Sequence, residues 1–87
     1  MTNIITAKSK KNQKLVNKAV NYLLKYNEAN NIRTLYEDST EDYYGTAAYN
    51  KLDSRCKHLF NQFLETVDEL PTYQAKVIFN HPIYTEQ

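Results

Sequence analysis

The side chains that most often carry chemistry are few in this chain, and their spacing does not bring them together. Cys56 is the single cysteine, and His58 and His81 are the two histidines. Cys56 and His58 are two residues apart in a helical pattern, so they point to nearly opposite sides and cannot share a metal ion or a proton. His81 precedes Pro82 in a turn-like stretch, and the sequence places no serine or acid to form a triad with either histidine. We therefore expect no metal site and no nucleophilic centre.

The acidic residues and the single glycine also do not indicate an active site. Glu65, Asp68 and Glu69 put carboxylates on neighbouring turns of a helix, a pattern far more typical of a solvated helix end than of an acid–base pair. Gly45 is the only glycine, which excludes a glycine-rich loop for phosphate. The sequence thus predicts a protein that is not an enzyme and binds no cofactor.

Size and composition limit the class of protein. With 87 residues, the chain is predicted to form one small domain, 1–87, with a mobile stretch at residues 1–8. A lone cysteine argues against a disulfide framework and suits a reducing compartment. No apolar run approaches the length of a membrane span, and no signal-peptide pattern opens the chain. These features predict a cytoplasmic protein that does not enter a membrane.

Two amphipathic helices are predicted to position the other residues. The first covers about residues 9–27, with Ser9 or Thr6 as its N-cap, and ends in an asparagine-rich NEANN stretch. The second covers about residues 46–70, with Thr46 as its N-cap and Pro71 marking its end. Each carries an apolar stripe at helical spacing. The stripes consist of Leu15, Val16, Ala19, Val20, Leu23 and Leu24 in the first helix, and of Ala48, Leu52, Cys56, Leu59, Phe63, Val67 and Leu70 in the second.

Three short segments, 3–6, 32–36 and 73–79, have ambiguous patterns. All five isoleucines lie outside the two predicted helices, which favours strands at these places. Against strands, Pro71 before the third segment is an ordinary opening of a helix. We predict a mainly α fold, with a small α/β or α+β fold containing short strands near 3–6, 32–36 and 73–79 as the alternative.

The length of the second predicted helix suggests self-association. Its residues would form a rod of about 36 Å, whereas a compact chain of this length has a radius of gyration of about 12 Å. Part of the apolar stripe would then need cover from outside the chain. We therefore expect a homodimer that forms through Leu52, Leu59, Phe63 and Val67.

An acidic and aromatic stretch, EDSTEDYYGTAAYN, runs from Glu37 to Asn50. Residues 39–42 have the composition of a helix start, Gly45 then breaks the chain, and Thr46 restarts a helix. Tyrosine is frequent in binding hot spots, and it also covers small cores. The candidate partner-binding residues are Tyr36, Glu41, Asp42, Tyr43, Tyr44 and Tyr49, and both uses stay open for them.

Lysines dominate the first quarter of the chain, which contains no acid. Lys11, Lys14, Lys18 and Lys25 lie at helical spacing on one face. Such a face contacts phosphates or an acidic protein, or it is simply solvated. These lysines are therefore compatible with binding of nucleic acid, with binding of an acidic protein, and with a solvated face that binds nothing.

The sequence as a whole predicts a non-catalytic module that binds a protein partner. Asn, Lys, Tyr and Ile, which have AT-rich codons, are abundant, and this composition suggests an accessory protein of a phage or mobile element that inhibits a host protein complex. The alternative function is sequence-indifferent binding of nucleic acid by the lysine face.

Overall fold

The computed structural model describes residues 4–85, which form four helices and contain no strand. The helices are α1 (Lys10–Ser39), α2 (Ala47–Asp68), α3 (Thr72–Phe79) and α4 (Pro82–Thr85). The prediction of a mainly α fold is confirmed, and the alternative with short strands is not supported.

Both predicted N-caps are present. The Ser9 hydroxyl accepts a hydrogen bond from the Asn12 N–H at 3.1 Å, and the Thr46 hydroxyl accepts one from the Tyr49 N–H at 3.2 Å. Each bond satisfies a backbone donor that has no partner inside the helix. The first residues of α1 and α2 are therefore set by local sequence.

Helix α1 continues well past the predicted end at Asn27. The asparagines there bind other groups with their side chains. The Asn27 amide donates to the Ile83 carbonyl at 3.1 Å, and the Asn30 side-chain oxygen accepts from Arg33 at 2.7 Å. Ala29 is buried. The tertiary contact of Asn27 and the burial of Ala29 override the weak helix propensity of this stretch, so the local signal for an end was misleading.

The strand alternative fails at each segment for a visible reason. Residues 32–36 belong to the last third of α1. Residues 73–79 form most of α3, whose buried residues Gln74 and Ile78 are four apart, as helical packing requires. Residues 4–6 have no regular structure, and Asn3 lies outside the described residues. Ile5, in the stretch expected to be mobile, is buried, and the Ala7 N–H donates to the Gln13 side chain at 2.7 Å.

Helices α1 and α2 form an antiparallel hairpin, and most of the core lies at its base, away from the connecting loop. Residues from the N-terminal segment, α1, α2 and α3 meet there, with α4 packed against them. A smaller cluster of Ala29, Cys56 and Leu59 lies further along the hairpin. The buried residues of the main cluster are Ile5, Val16, Ala19, Val20, Leu23, Phe63, Val67, Leu70 and Ile78.

The hairpin makes the molecule long, with extents of 48 × 22 × 20 Å and a radius of gyration of 15.0 Å. Because α1 is longer than predicted, it covers α2 along its length. Leu59, Phe63 and Val67 are buried within the chain and Leu52 is half-buried. The stripe assigned to self-association is therefore internal core, and the reason for expecting a second copy on it was wrong. None of the helices in residues 4–85 combines the length and hydropathy needed to cross a membrane.

Candidate protein-binding surface

The hairpin tip, residues 40–46, reverses the chain with two residues in the left-handed backbone region. Asp42 has φ of 55° and Gly45 has φ of 84°. Aspartate tolerates this region better than most residues, and glycine adopts it freely. The predicted helix start at residues 39–42 was wrong, because Ser39 ends α1 and its hydroxyl donates to the Leu35 carbonyl at 2.7 Å. The Thr46 N–H donates to the Tyr43 carbonyl at 3.2 Å and closes the turn.

The tyrosines near the tip divide into two groups. The Tyr49 ring lies 6.3 Å from that of Tyr36 and 4.9 Å from that of Tyr43, centroid to centroid. These three rings are half-buried and cover the end of the hairpin. Tyr44 is 87% exposed and extends from the turn that the other rings support. Glu41 and Asp42 beside it are also exposed, so the tip presents one aromatic ring among acids.

A hydrogen bond between the two helices fixes Tyr49. Its hydroxyl donates to the Glu37 carboxylate at 2.8 Å. This bond, together with desolvation and the charge of Glu37, raises the pKa of Tyr49 to about 12. The folded state therefore holds the proton of Tyr49 more tightly than the unfolded chain does.

We expect the Tyr49 hydroxyl to link the stability of the fold to alkaline pH. An unfolded tyrosine ionises near pH 10, so the stabilisation from this bond is complete below pH 10. It is lost as the pH rises from 10 through about 12. Carbon-13 NMR of labelled tyrosine rings would resolve the titration, and Glu37→Gln should bring the pKa back towards 10. Ionisation of Tyr49 near pH 10 in the folded protein would contradict this assignment.

Polar pairs replace apolar packing along the half of the hairpin next to the tip. Arg33 binds Asp53 at 2.7 Å, and Lys57 binds the same carboxylate at 3.0 Å. The hydrogen bond from Lys57 and then that from Arg33 hold the pKa of Asp53 below its usual range, while burial opposes them. The interior of the hairpin thus changes from apolar at the base to ionic towards the tip.

Apolar side chains lie on the opposite side of α1, facing away from α2. Leu24, Ile32 and Leu35 are 42%, 47% and 67% exposed. At 3.6 residues per turn they fall within a sector of about 80°, and we name this set the outer ridge. The sequence does not predict this ridge, because the predicted inward stripe includes Leu24 and the pattern of residues 32–36 is ambiguous between helix and strand. A helical pattern extended past Asn27 would have shown the shared face.

The lysines predicted to form a basic face lie along the exposed surface of α1. Lys11, Lys14, Lys18 and Lys25 are all exposed, and neither of the two ion pairs within residues 4–85 involves them. Near the start of α1, an open groove of about 470 Å³ is lined by Lys10, Lys11, Lys14, Leu15 and Glu69. We name it the lysine groove. Its role in binding phosphates or acidic groups stays a prediction.

The cysteine and the two histidines lie in surroundings that indicate no reaction. Cys56 is buried, and this burial raises the pKa of its thiol. The His81 ring accepts a hydrogen bond from the Ile83 N–H at 3.1 Å, while His58 is exposed. Across residues 4–85, no group of three or more His, Cys, Asp and Glu side chains is placed to hold a metal ion.

Comparisons of the chain with family models, curated proteins and solved structures found no match. Its function must therefore be inferred from the placement of its own side chains.

Proposed function

We propose that the chain is a non-catalytic protein-binding module that uses the outer ridge and the exposed side chains of the tip. The observation that carries this proposal is the outer ridge, in which three large apolar side chains share one exposed helix face. Adjoining exposed apolar side chains, as at Ile32 and Leu35, mark interaction sites, whereas single exposed apolar residues are ordinary. Tyr44 adds an exposed tyrosine ring, a residue type that is enriched in binding hot spots.

The charges near the tip specify the chemistry of the partner. Asp38, Glu41 and Asp42 are exposed at the end of the hairpin that carries Tyr44. The nearest arginine, Arg33, is turned inward to Asp53. A complementary partner surface is therefore basic and has an apolar recess for a ring. The AT-rich codon composition supports a cytoplasmic accessory protein of a phage or mobile element, with a host protein complex as the target.

Two single substitutions test the proposed surface. We expect Leu35→Ala and Tyr44→Ala each to lower capture of the partner from nuclease-treated host lysate at least tenfold, because truncated hot spots cost about 2 kcal/mol. Mass spectrometry after a high-salt wash would identify and quantify the captured protein. Tyr44→Phe, which keeps the ring, should retain most of the capture.

The control for the ridge is Leu64→Ala, which removes a 36% exposed leucine from α2. It should leave capture unchanged, and all variants should keep the helical circular-dichroism signal. Full capture by both Leu35→Ala and Tyr44→Ala would rule out this surface as the binding site.

A further inference from the structure

The two ends of the molecule carry complementary chemistry. At the tip, the exposed ring of Tyr44 lies among Glu41 and Asp42. About 40 Å along α1, by its rise of 1.5 Å per residue, the lysine groove has an apolar wall at Leu15 and three lysines around it. The basic, apolar recess that the tip requires is thus present on the chain itself.

The two surfaces cannot meet within one molecule, because α1 separates them. They can meet between two copies whose α1 helices run antiparallel. If Leu24 of one copy lies opposite Ile32 of the other, the two outer ridges cover each other. The same register places the first turns of α1 opposite the tip of the second copy. A two-fold axis then repeats every contact, as closed symmetric dimers require.

Two lysines of the lysine groove lie on the same face of α1 as the outer ridge, whereas Lys11 and Leu15 lie further round the helix, towards α2, so the groove opens beside the ridge. Lys10 and Lys14 fall within the same sector of about 80° as the outer ridge, counted at 3.6 residues per turn. Glu28 also lies in this sector and is exposed, so the two copies of Glu28 approach each other near the axis. Lys25, one turn earlier, supplies the opposite charge across the interface.

One charge in the lysine groove opposes the contact. Glu69 lines the groove with Lys10, Lys11 and Lys14, and it repels an acidic tip. The three lysines outnumber it, so the groove is basic overall. The complementarity between the ends therefore survives the repulsion from Glu69.

We propose that the partner of the outer ridge is a second copy of this chain, in an antiparallel dimer with each tip in the lysine groove of the other copy. This inference rests on the proposed binding function, because it uses the same outer ridge and tip, and a second copy there would compete with a host protein for these side chains. The dimer buries both outer ridges and pairs each acidic tip with a basic groove. The charges of the two ends determine both the direction and the register of the pair.

A charge exchange between two variants tests the dimer. The groove variant carries Lys10→Glu, Lys11→Glu and Lys14→Glu, and the tip variant carries Glu41→Lys and Asp42→Lys. Sedimentation equilibrium of the purified full chain at low salt should show a dimer for the parent. Each variant alone should dissociate at least tenfold more readily, since like charges then meet at both ends. An equimolar mixture should form a heterodimer, because every groove again faces a tip of opposite charge.

A matched control reverses exposed charges elsewhere, with Arg55→Glu and Lys76→Glu, and should dimerise like the parent. A monomeric parent at about 1 mM, a concentration at which even weak pairs associate, would overturn the inference. A dimer whose dissociation is unchanged in both variants would also overturn it. So would a monomer whose groove lysines bind nucleic acid. In the first case the proposed function still stands if Leu35→Ala lowers capture from lysate, so the two failures are distinguishable.

Discussion

Replacing Phe63 with alanine is expected to lower the free energy of unfolding by about 3–5 kcal/mol. Phe63 is fully buried, and its ring centroid lies 5.7 Å from that of Phe60 and 6.0 Å from those of Phe79 and Tyr84. One side chain therefore joins α2 to α3 and α4. Removing it leaves a cavity that several elements would have to collapse to fill.

The total stability of an 87-residue domain makes this loss decisive. At about 0.05–0.15 kcal/mol per residue, the parent has roughly 4–13 kcal/mol, so Phe63→Ala removes about a quarter or more of the total. Urea titration monitored by circular dichroism would give the change in the free energy of unfolding. Phe63→Leu, which keeps most of the volume, should lose much less, and Phe60→Ala at a half-buried position should fall between them. A loss below about 1 kcal/mol for Phe63→Ala would show that the base is not the stable core.

The backbone amides of α1 are expected to differ roughly a hundredfold in hydrogen exchange between its two halves. The buried residues of α1 all lie between Val16 and Ala29. From Asn30 to Ser39 the inward positions carry Arg33 and Glu37, which are partly hydrated. Opening the last turns of α1 exposes the half-buried ring of Tyr36 but no fully buried side chain, and it therefore costs less free energy than opening the middle of the helix.

Native-state exchange measured by NMR would test this difference, at a concentration where the chain is monomeric. Leu23→Ala should speed exchange between residues 16 and 29 and leave the faster amides of 30–39 nearly unchanged, because those open locally. Equal protection along all of α1 would mean that the hairpin opens only as a unit. The expected gradient places the mobile end at the surface proposed to bind the partner.

Local chemistry made part of the fold predictable. The caps at Ser9 and Thr46 and the end before Pro71 follow from side chains within a few residues of each boundary. The extension of α1 does not, because the partner of Asn27 is Ile83, 56 residues away. No window of neighbouring sequence contains that contact.

The sequence does not predict the outer ridge or the exposed ring at the tip, and the physical reasons for the two differ. In the second half of α1 the inward face changes from apolar residues to Arg33 and Glu37, so the helical period of apolar residues no longer marks the core. The exposed isoleucine and leucine then resembled a short strand. At the tip, Tyr43 and Tyr44 are adjacent and identical in type. Only packing against Tyr49 separates a structural ring from an exposed one.

The change from an ionic half to an apolar half also sets the order in which the chain can fold. The bond between Tyr49 and Glu37 closes a loop of 12 residues, that between Arg33 and Asp53 a loop of 20, and that between Asn27 and Ile83 one of 56. Closing the longest loop costs about 1.4 kcal/mol more chain entropy than closing the shortest. Contacts near the turn are thus quick to form but weak, and those at the base are slow to form but strong. The folding rate is consequently limited by the formation of contacts between segments that are distant in sequence. Contacts near the turn form first and align the two helices before those distant segments pack together.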